Sequence, residues 1–173
     1  IDEVKVYTST ARTEAEISAD YLTSTPDRAS SASFGPNDSY ISDGLVGYWP
    51  MDDNVSGNGQ AITDKSGNGN NGSTHDGDAT LDCTAVLKFG NSCNFDDGDD
   101  WVEISESLYT QGSYTLSAWL TYTGTGTDQT IYSEGRSSSS TGFVWLYIRG
   151  DSDKLELRLN DGNGNSGQIT SSN

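Results

Sequence analysis

The sequence predicts an all-β fold with one short helix near its start, and three observations carry that prediction. Apolar residues occur in short runs rich in Val, Ile, Leu, Tyr and Trp, bounded by Gly, Asn, Asp and Ser. Within the runs the spacing is two: Tyr114, Leu116, Ala118 and Leu120 fall on one side of a strand, and Thr115, Ser117 and Trp119 on the other. Beyond residue 22 no helix of useful length can be read.

In chain order, the β-branched Ile1, Val4 and Val6 make residues 1–7 a strand. Thr13 with Glu16 three positions later forms a capping box for a short helix through Tyr21, with Ile17 and Tyr21 on one face. Residues 23–43 are mostly Ser, Thr, Pro and Gly with few apolar anchors, the composition of a linker or long surface loop. The boundaries expected are therefore 1–22, 23–43 and 44–173. Seven further strands are read at 45–51, 93–95, 101–104, 114–122, 129–133, 143–149 and 154–159. So many short strands between turns favour a sandwich. In the last of them Leu155, Leu157 and Leu159 are expected to point inward, and Glu156 and Arg158 outward.

The 173 residues set an expectation of one core, and a hydrophobic fraction of 32% implies a thin one. Disorder is the competing reading of such a composition, but 10% aromatic content, with Trp49, Trp101, Trp119 and Trp145 inside β-prone runs, argues for a folded chain. A formal charge of −17, from 9 basic and 26 acidic residues, disfavours phosphate backbones and anionic lipid and favours divalent cations. No apolar stretch reaches 18 residues, so no membrane insertion is expected. The first seven residues lack a signal-peptide layout, and the chain reads as a mature or excised piece.

Cys83 and Cys93 are the two cysteines. They could close a small loop as a disulfide or lie as two buried free thiols, and sequence alone leaves both open. N-x-S/T triplets at Asn37, Asn54 and Asn71 fit a glycosylated, exported surface, although such triplets also arise by chance in an Asn- and Ser-rich chain.

Four segments resemble a known family: GLVGYWPMD at 44–52, DKSGNGNNG at 64–72, FDDGDDWV at 95–102 and YTLSAW at 114–119. In this order they are similar to the laminin-G-like domains of the concanavalin A-like lectin/glucanase superfamily, repeated in prokaryotic surface proteins. The resemblance implies a jelly-roll β-sandwich. It also implies that residues 1–7 with Ala15-Glu16-Ile17 look like the last strand and terminal helix of such a domain, while the domain from residue 44 stops before its own last strands. A fragment of a tandem array, a circular permutation and a subunit completed by a neighbour's first strand all fit. In the third case Ile1, Val4 and Val6 are the strand donor, because an incomplete sandwich exposes backbone groups that strand addition satisfies.

The same resemblance makes Ca²⁺ the expected cofactor, with Asp64, Asn68, Asp96 and Asp99 as oxygen ligands. The alternative is that these residues are turn formers bonding their own backbone. Trp49, Trp101 and Trp119 fall where the family packs its core, whereas Trp145 and Tyr147 could face outward and stack on a sugar. Glycoside hydrolysis needs two carboxyl groups across a cleft; Glu103 and Glu156 are lone acids on their strands, and His75 is the single histidine, in a Gly- and Asp-rich stretch. The expected function is thus a non-catalytic extracellular structural or adhesive module, a repeat or subunit of a surface protein or filament assembled by strand complementation between copies. Its partners would be other copies of the chain or neighbouring repeats, with no nucleic acid. The alternative is a carbohydrate-binding, lectin-type module whose partners are glycans.

Overall fold

The computed structural model describes residues 1–8, 11–23, 44–78, 80–86, 90–96, 98–105, 108, 113–124, 126–135, 142–163 and 165–172. Most of the expected linker, residues 24–43 with Asn37, lies outside them. The chain divides into two units, one of residues 1–106 with 112–120 and the other of residues 107–111 with 121–173. The described elements are antiparallel strands and one short helix.

In the first unit β1 (Asp2–Thr8) lies between β2 (Leu45–Trp49) and β8 (Tyr114–Trp119). Val6 stands opposite Gly47 on one side and Leu116 on the other. A central strand is covered on both faces, and Val4, Lys5, Val6 and Tyr7 are all buried. The expected donor strand thus completes a sheet of its own chain. Backbone bonding from Cys93 N to Ile1 O, 3.3 Å, ties its start to the disulfide hairpin. The capping box forms as the sequence demands. Thr13 N donates to Glu16 Oε2 at 2.7 Å, Glu16 N donates to Thr13 Oγ1 at 3.3 Å, and α1 (Glu14–Thr23) runs slightly past the expected end.

β3 (Ala61–Ile62), β4 (Gly72–His75) and β7 (Trp101–Ile104) form a second three-stranded sheet, and β5 (Asp82–Val86) pairs with β6 (Asn91–Asn94). Across that hairpin Cys83 and Cys93 are joined as a disulfide, which removes the free-thiol reading. Trp49 is the largest side chain in the core, with 1% of its surface exposed. Its indole lies back along β2 over Gly47, where an added Cβ would sit 2.1 Å from a ring carbon.

The second unit holds one four-stranded sheet in the order β12 (Ser166–Thr170), β11 (Leu155–Asn160), β10 (Phe143–Ile148), β9 (Gln129–Gly135). Here two expectations are reversed. Glu156, expected to face solvent, is fully buried, and Leu155, expected inside, is 42% exposed. The alternation is right, but hydrophobicity assigns its sense wrongly: the polar face buries its carboxylate in an ion-pair network, while the apolar face grows more exposed toward β12, where Ile169 is 67% exposed.

Candidate functional site

Asp64 organises the loop that follows β3. Its Oδ1 accepts from Tyr48 N (3.0 Å) and Ser66 N (2.8 Å), and its Oδ2 from Ser66 Oγ (2.8 Å) and Asn70 N (2.9 Å). Around it, Asn68 Nδ2 donates to Leu45 O and Asn70 Nδ2 to Val46 O, so the loop is stapled along β2. The left-handed turns this requires fall on Gly67 and Gly69, with φ of 91° and 79°. Burial pushes the Asp64 carboxyl pKa up, but the donors from Tyr48, Ser66 and Asn70 outweigh it and hold the group below the ordinary value. A carboxylate already accepting four hydrogen bonds has its lone pairs committed to protein donors.

Asp96 and Asp99 belong to a different place, beside Asp76, Gly77, Asp78 and Thr80. Asp76 is buried and accepts from Asp78 N, Thr80 N and Leu81 N. Thr80 Oγ1 lies 2.6 Å from Asp78 Oδ1 and 2.7 Å from Asp96 Oδ1, although a hydroxyl carries one proton. Asp99 sits against Gly77, whose absent Cβ would fall 1.7 Å from Asp99 Oδ2. Among the described residues no three His, Cys, Asp or Glu side chains gather as a metal-ion set, so Asp64 does not share a site with Asp96 and Asp99.

Trp101 is not a core residue. It is 49% exposed on the outer face of β7 and stacks on its cross-strand neighbour His75, with ring centroids 4.7 Å apart and an interplanar angle of 6°. His75 Nε2 lies 2.7 Å from Glu103 Oε2. The histidine expected in a loop thus lies on β4, where the strand register places it directly opposite Trp101. Trp49 is core as expected, and Trp119 is partly buried.

The expected outward pair Trp145 and Tyr147 stack on each other at 4.1 Å, but Tyr147 is 1% exposed and presents no free ring face. Its hydroxyl donates to Glu156, whose carboxylate also accepts from Arg158 Nε (2.5 Å) and Arg149 (3.3 Å). Arg158 covers both rings, its guanidinium carbon 5.7 Å from the Trp145 centroid and 5.4 Å from that of Tyr147. Tyr147's donated bond, then the arginines, keep Glu156 ionised below the usual glutamate pKa. Burial, then Glu156, pushes the Tyr147 phenol up to about 12. Sequence reading missed this network, yet the signal was present: the turn at 149–154 fixes a register in which Tyr147 faces Glu156 and Trp145 faces Arg158.

Of the glycosylation candidates, Asn54 and Asn71 are exposed, and the Asn71 side-chain oxygen accepts from Asp64 N at 2.9 Å.

No curated protein shows significant similarity to the chain. Residues 96–173 match the laminin-G-type family model of the concanavalin A-like lectin/glucanases superfamily. The matched residues include β7 with Trp101, β8 and the whole β9–β12 sheet with the Glu156 network. A crystal structure of an S-layer domain-containing protein (residues 221–444) from Clostridium thermocellum ATCC 27405 has a similar fold, with a TM-score of 0.55 at 21% identity. The likeness covers 73% of this chain, which spans 57% of the length of that structure.

Proposed function

We propose that the chain is a non-catalytic structural or adhesive module of an extracellular surface protein, in which the sheet is completed by a strand that copies can exchange. The observation that carries this reading is the place of β1: it is bonded to β2 on one side and β8 on the other, while residues 9–44 separate it from β2 in sequence. A central strand reached through so long a connection can be given to a neighbour where copies are crowded together. The fold likeness to an S-layer domain-containing protein supports a surface location. The state of Glu156 supports a non-catalytic reading, because a glycosidase acid needs a raised pKa and this carboxylate is held low by the Tyr147 hydroxyl and then by two arginines. The test is a chain lacking residues 1–8, supplied with a synthetic peptide of those residues. The shortened chain should melt early and without cooperativity, and the peptide should bind and restore the transition; an unchanged melt with no peptide binding would refute strand complementation.

Calcium remains part of this proposal at the turn of Asp96 and Asp99, where the single hydroxyl proton of Thr80 cannot serve both Asp78 and Asp96. Removal of Ca²⁺ with EDTA should lower the melting temperature, and an unchanged midpoint would retire the ion.

The lectin reading is favoured by one observation, the exposed Trp101 backed by His75 and flanked by Glu103, a flat aromatic platform of the kind on which a pyranose stacks. A glycan array would test it: binding that Trp101→Ala abolishes supports it, and an array without binding removes it.

A further inference from the structure

In a chain with 9 basic residues and 26 acidic ones, Arg149 and Arg158 converge on a single carboxylate. Glu156 Oε2 accepts from Arg149 and from Thr170 Oγ1, each at 3.3 Å, and Oε1 accepts from the Tyr147 hydroxyl and from Arg158 Nε. Arg158 gives that carboxylate its Nε alone. Its two terminal nitrogens donate to none of the described residues, and its side chain is 40% exposed. A guanidinium holds its donors in a rigid fork, and the outer edge of this one is open to solvent.

That outer edge is also held still. The guanidinium carbon lies 5.7 Å from the Trp145 ring centroid and 5.4 Å from that of Tyr147, the two rings stack on each other, and Nε is tied to a buried carboxylate. An arginine on a bare surface loses rotamer freedom when it binds a ligand. Here much of that freedom is already lost on folding, so a planar partner meets a fork that is set in place. The planar partner that matches it is a carboxylate, bonded through both oxygens.

The surroundings decide what carries the carboxylate. The register sets Ser133, Trp145 and Arg158 in line across β9, β10 and β11, on one face of the sheet. The centre of this row lies on β10 and β11, each of which is paired on both sides. Ser133 is exposed, and the exposed Thr130 accepts the Trp145 indole N–H at 3.0 Å. Strands about 4.8 Å apart make the row about 10 Å long, enough for two sugar rings laid across the strands. Hydroxyl groups that both donate and accept suit sugar hydroxyls, and an indole suits the C–H face of a pyranose.

We propose that Arg158, Trp145 and Ser133 form a site for a carboxylated sugar, in which a uronic acid places its carboxylate on the terminal nitrogens of Arg158 and the next ring lies over Trp145 toward Ser133. The site belongs to the second unit and does not rest on the Trp101 platform. A neutral sugar leaves the fork unanswered, and a small carboxylate leaves the row empty, so the two halves together set the specificity.

Nuclear magnetic resonance titration of the 173-residue chain tests the site with three probes: a disaccharide of uronic acids, the same disaccharide with its carboxyl groups reduced to alcohols, and acetate. The acid should bind with a Kd of about 1 mM, because the ion pair is exposed, and should shift the Arg158 Nε–H and Trp145 indole N–H signals. The reduced sugar and acetate should each bind at least about tenfold more weakly. Arg158→Lys keeps a charge beside Glu156 but removes the fork, and should weaken the acid about tenfold while changing the reduced sugar little. Ser133→Ala, at an exposed position that leaves the Glu156 network intact, should weaken the disaccharide severalfold and leave acetate unchanged. Equal binding of the acid and reduced sugars, acetate as tight as the disaccharide, or binding undiminished in both variants would each overturn the proposal. So would an acid that shifts neither signal at about 10 mM. Shifts confined to the Trp101 indole would overturn this site while supporting the Trp101 platform, and shifts at Arg158 and Trp145 without Trp101 would support this site alone.

Discussion

Replacing Asp64 by Asn changes one atom and tests whether this residue holds a loop or an ion. The amide keeps one oxygen, which serves one pair of the four donors, and turns an –NH₂ toward the other pair. Two bonds to a charged acceptor are lost, and two donors in a largely buried place face a third; at about 1–2 kcal/mol for each lost bond the cost is about 2–4 kcal/mol. For a chain of this length that lowers the melting temperature by roughly 6–12 °C. Circular dichroism melts with and without EDTA give the answer: the loss should be the same in both, because the lone pairs serve protein donors. The sign of the pH dependence is also set. The folded pKa of Asp64 lies below its unfolded value, so its stabilisation is present at neutral pH and disappears as pH falls through the folded value. The gap between the native chain and Asp64→Asn should therefore be full at pH 7 and close below about pH 4. A loss under about 1 kcal/mol, or a loss on substitution that shrinks when EDTA is present, would refute the reasoning.

Three further outcomes follow from the geometry. Gly47→Ala drives a methyl group into the Trp49 ring and should cost about 1–3 kcal/mol by chemical denaturation, with a shift in Trp fluorescence; a neutral substitution would mean the ring is not seated there. Reduction of the Cys83–Cys93 disulfide, which closes a loop with a sequence separation of 10, should cost about 2.5–3 kcal/mol, read as the difference between melts with and without reductant. Tyr147 should resist ionisation in an ultraviolet titration until about pH 12; because its folded value lies above the ordinary one near 10, stability should hold to about pH 10 and fall between there and 12, and Tyr147→Phe should lose that alkaline decline.

The seven strands read after the linker all exist, because most carry β-branched or aromatic residues that mark a pleated, half-buried run and the last alternates Leu155, Leu157 and Leu159 with polar residues. β3, β4, β5 and β12 were not legible: Gly-Ser-Thr-His and Ser-Gly-Gln-Ile-Thr pair by backbone with little apolar patterning to betray them. The disulfide was legible as one of two readings, since only pairing across a hairpin decides it. Trp101 was misread because an exposed aromatic and a core aromatic have the same sequence neighbourhood; what separates them is the register that sets Trp101 against His75. Tyr147 and Glu156 were misread for the opposite reason. Burial of a carboxylate is disfavoured in isolation, and only the convergence of Arg149, Arg158 and the phenol makes it stable.

The position of β1 also sets a clock on folding. Asp2 pairs with Trp119, so the sheet cannot close before the chain has been made as far as β8. At a synthesis rate of about 5–20 residues per second, β1 waits roughly 6–23 seconds for β8, with β2 alone available to pair with Val4 and Val6. Contacts so distant in sequence slow the search further, since a large loop must be closed before pairing rewards it. During that interval any chain that has already presented β2 and β8 competes for the same strand. Crowding during synthesis, as much as equilibrium affinity, therefore decides which copy each β1 completes.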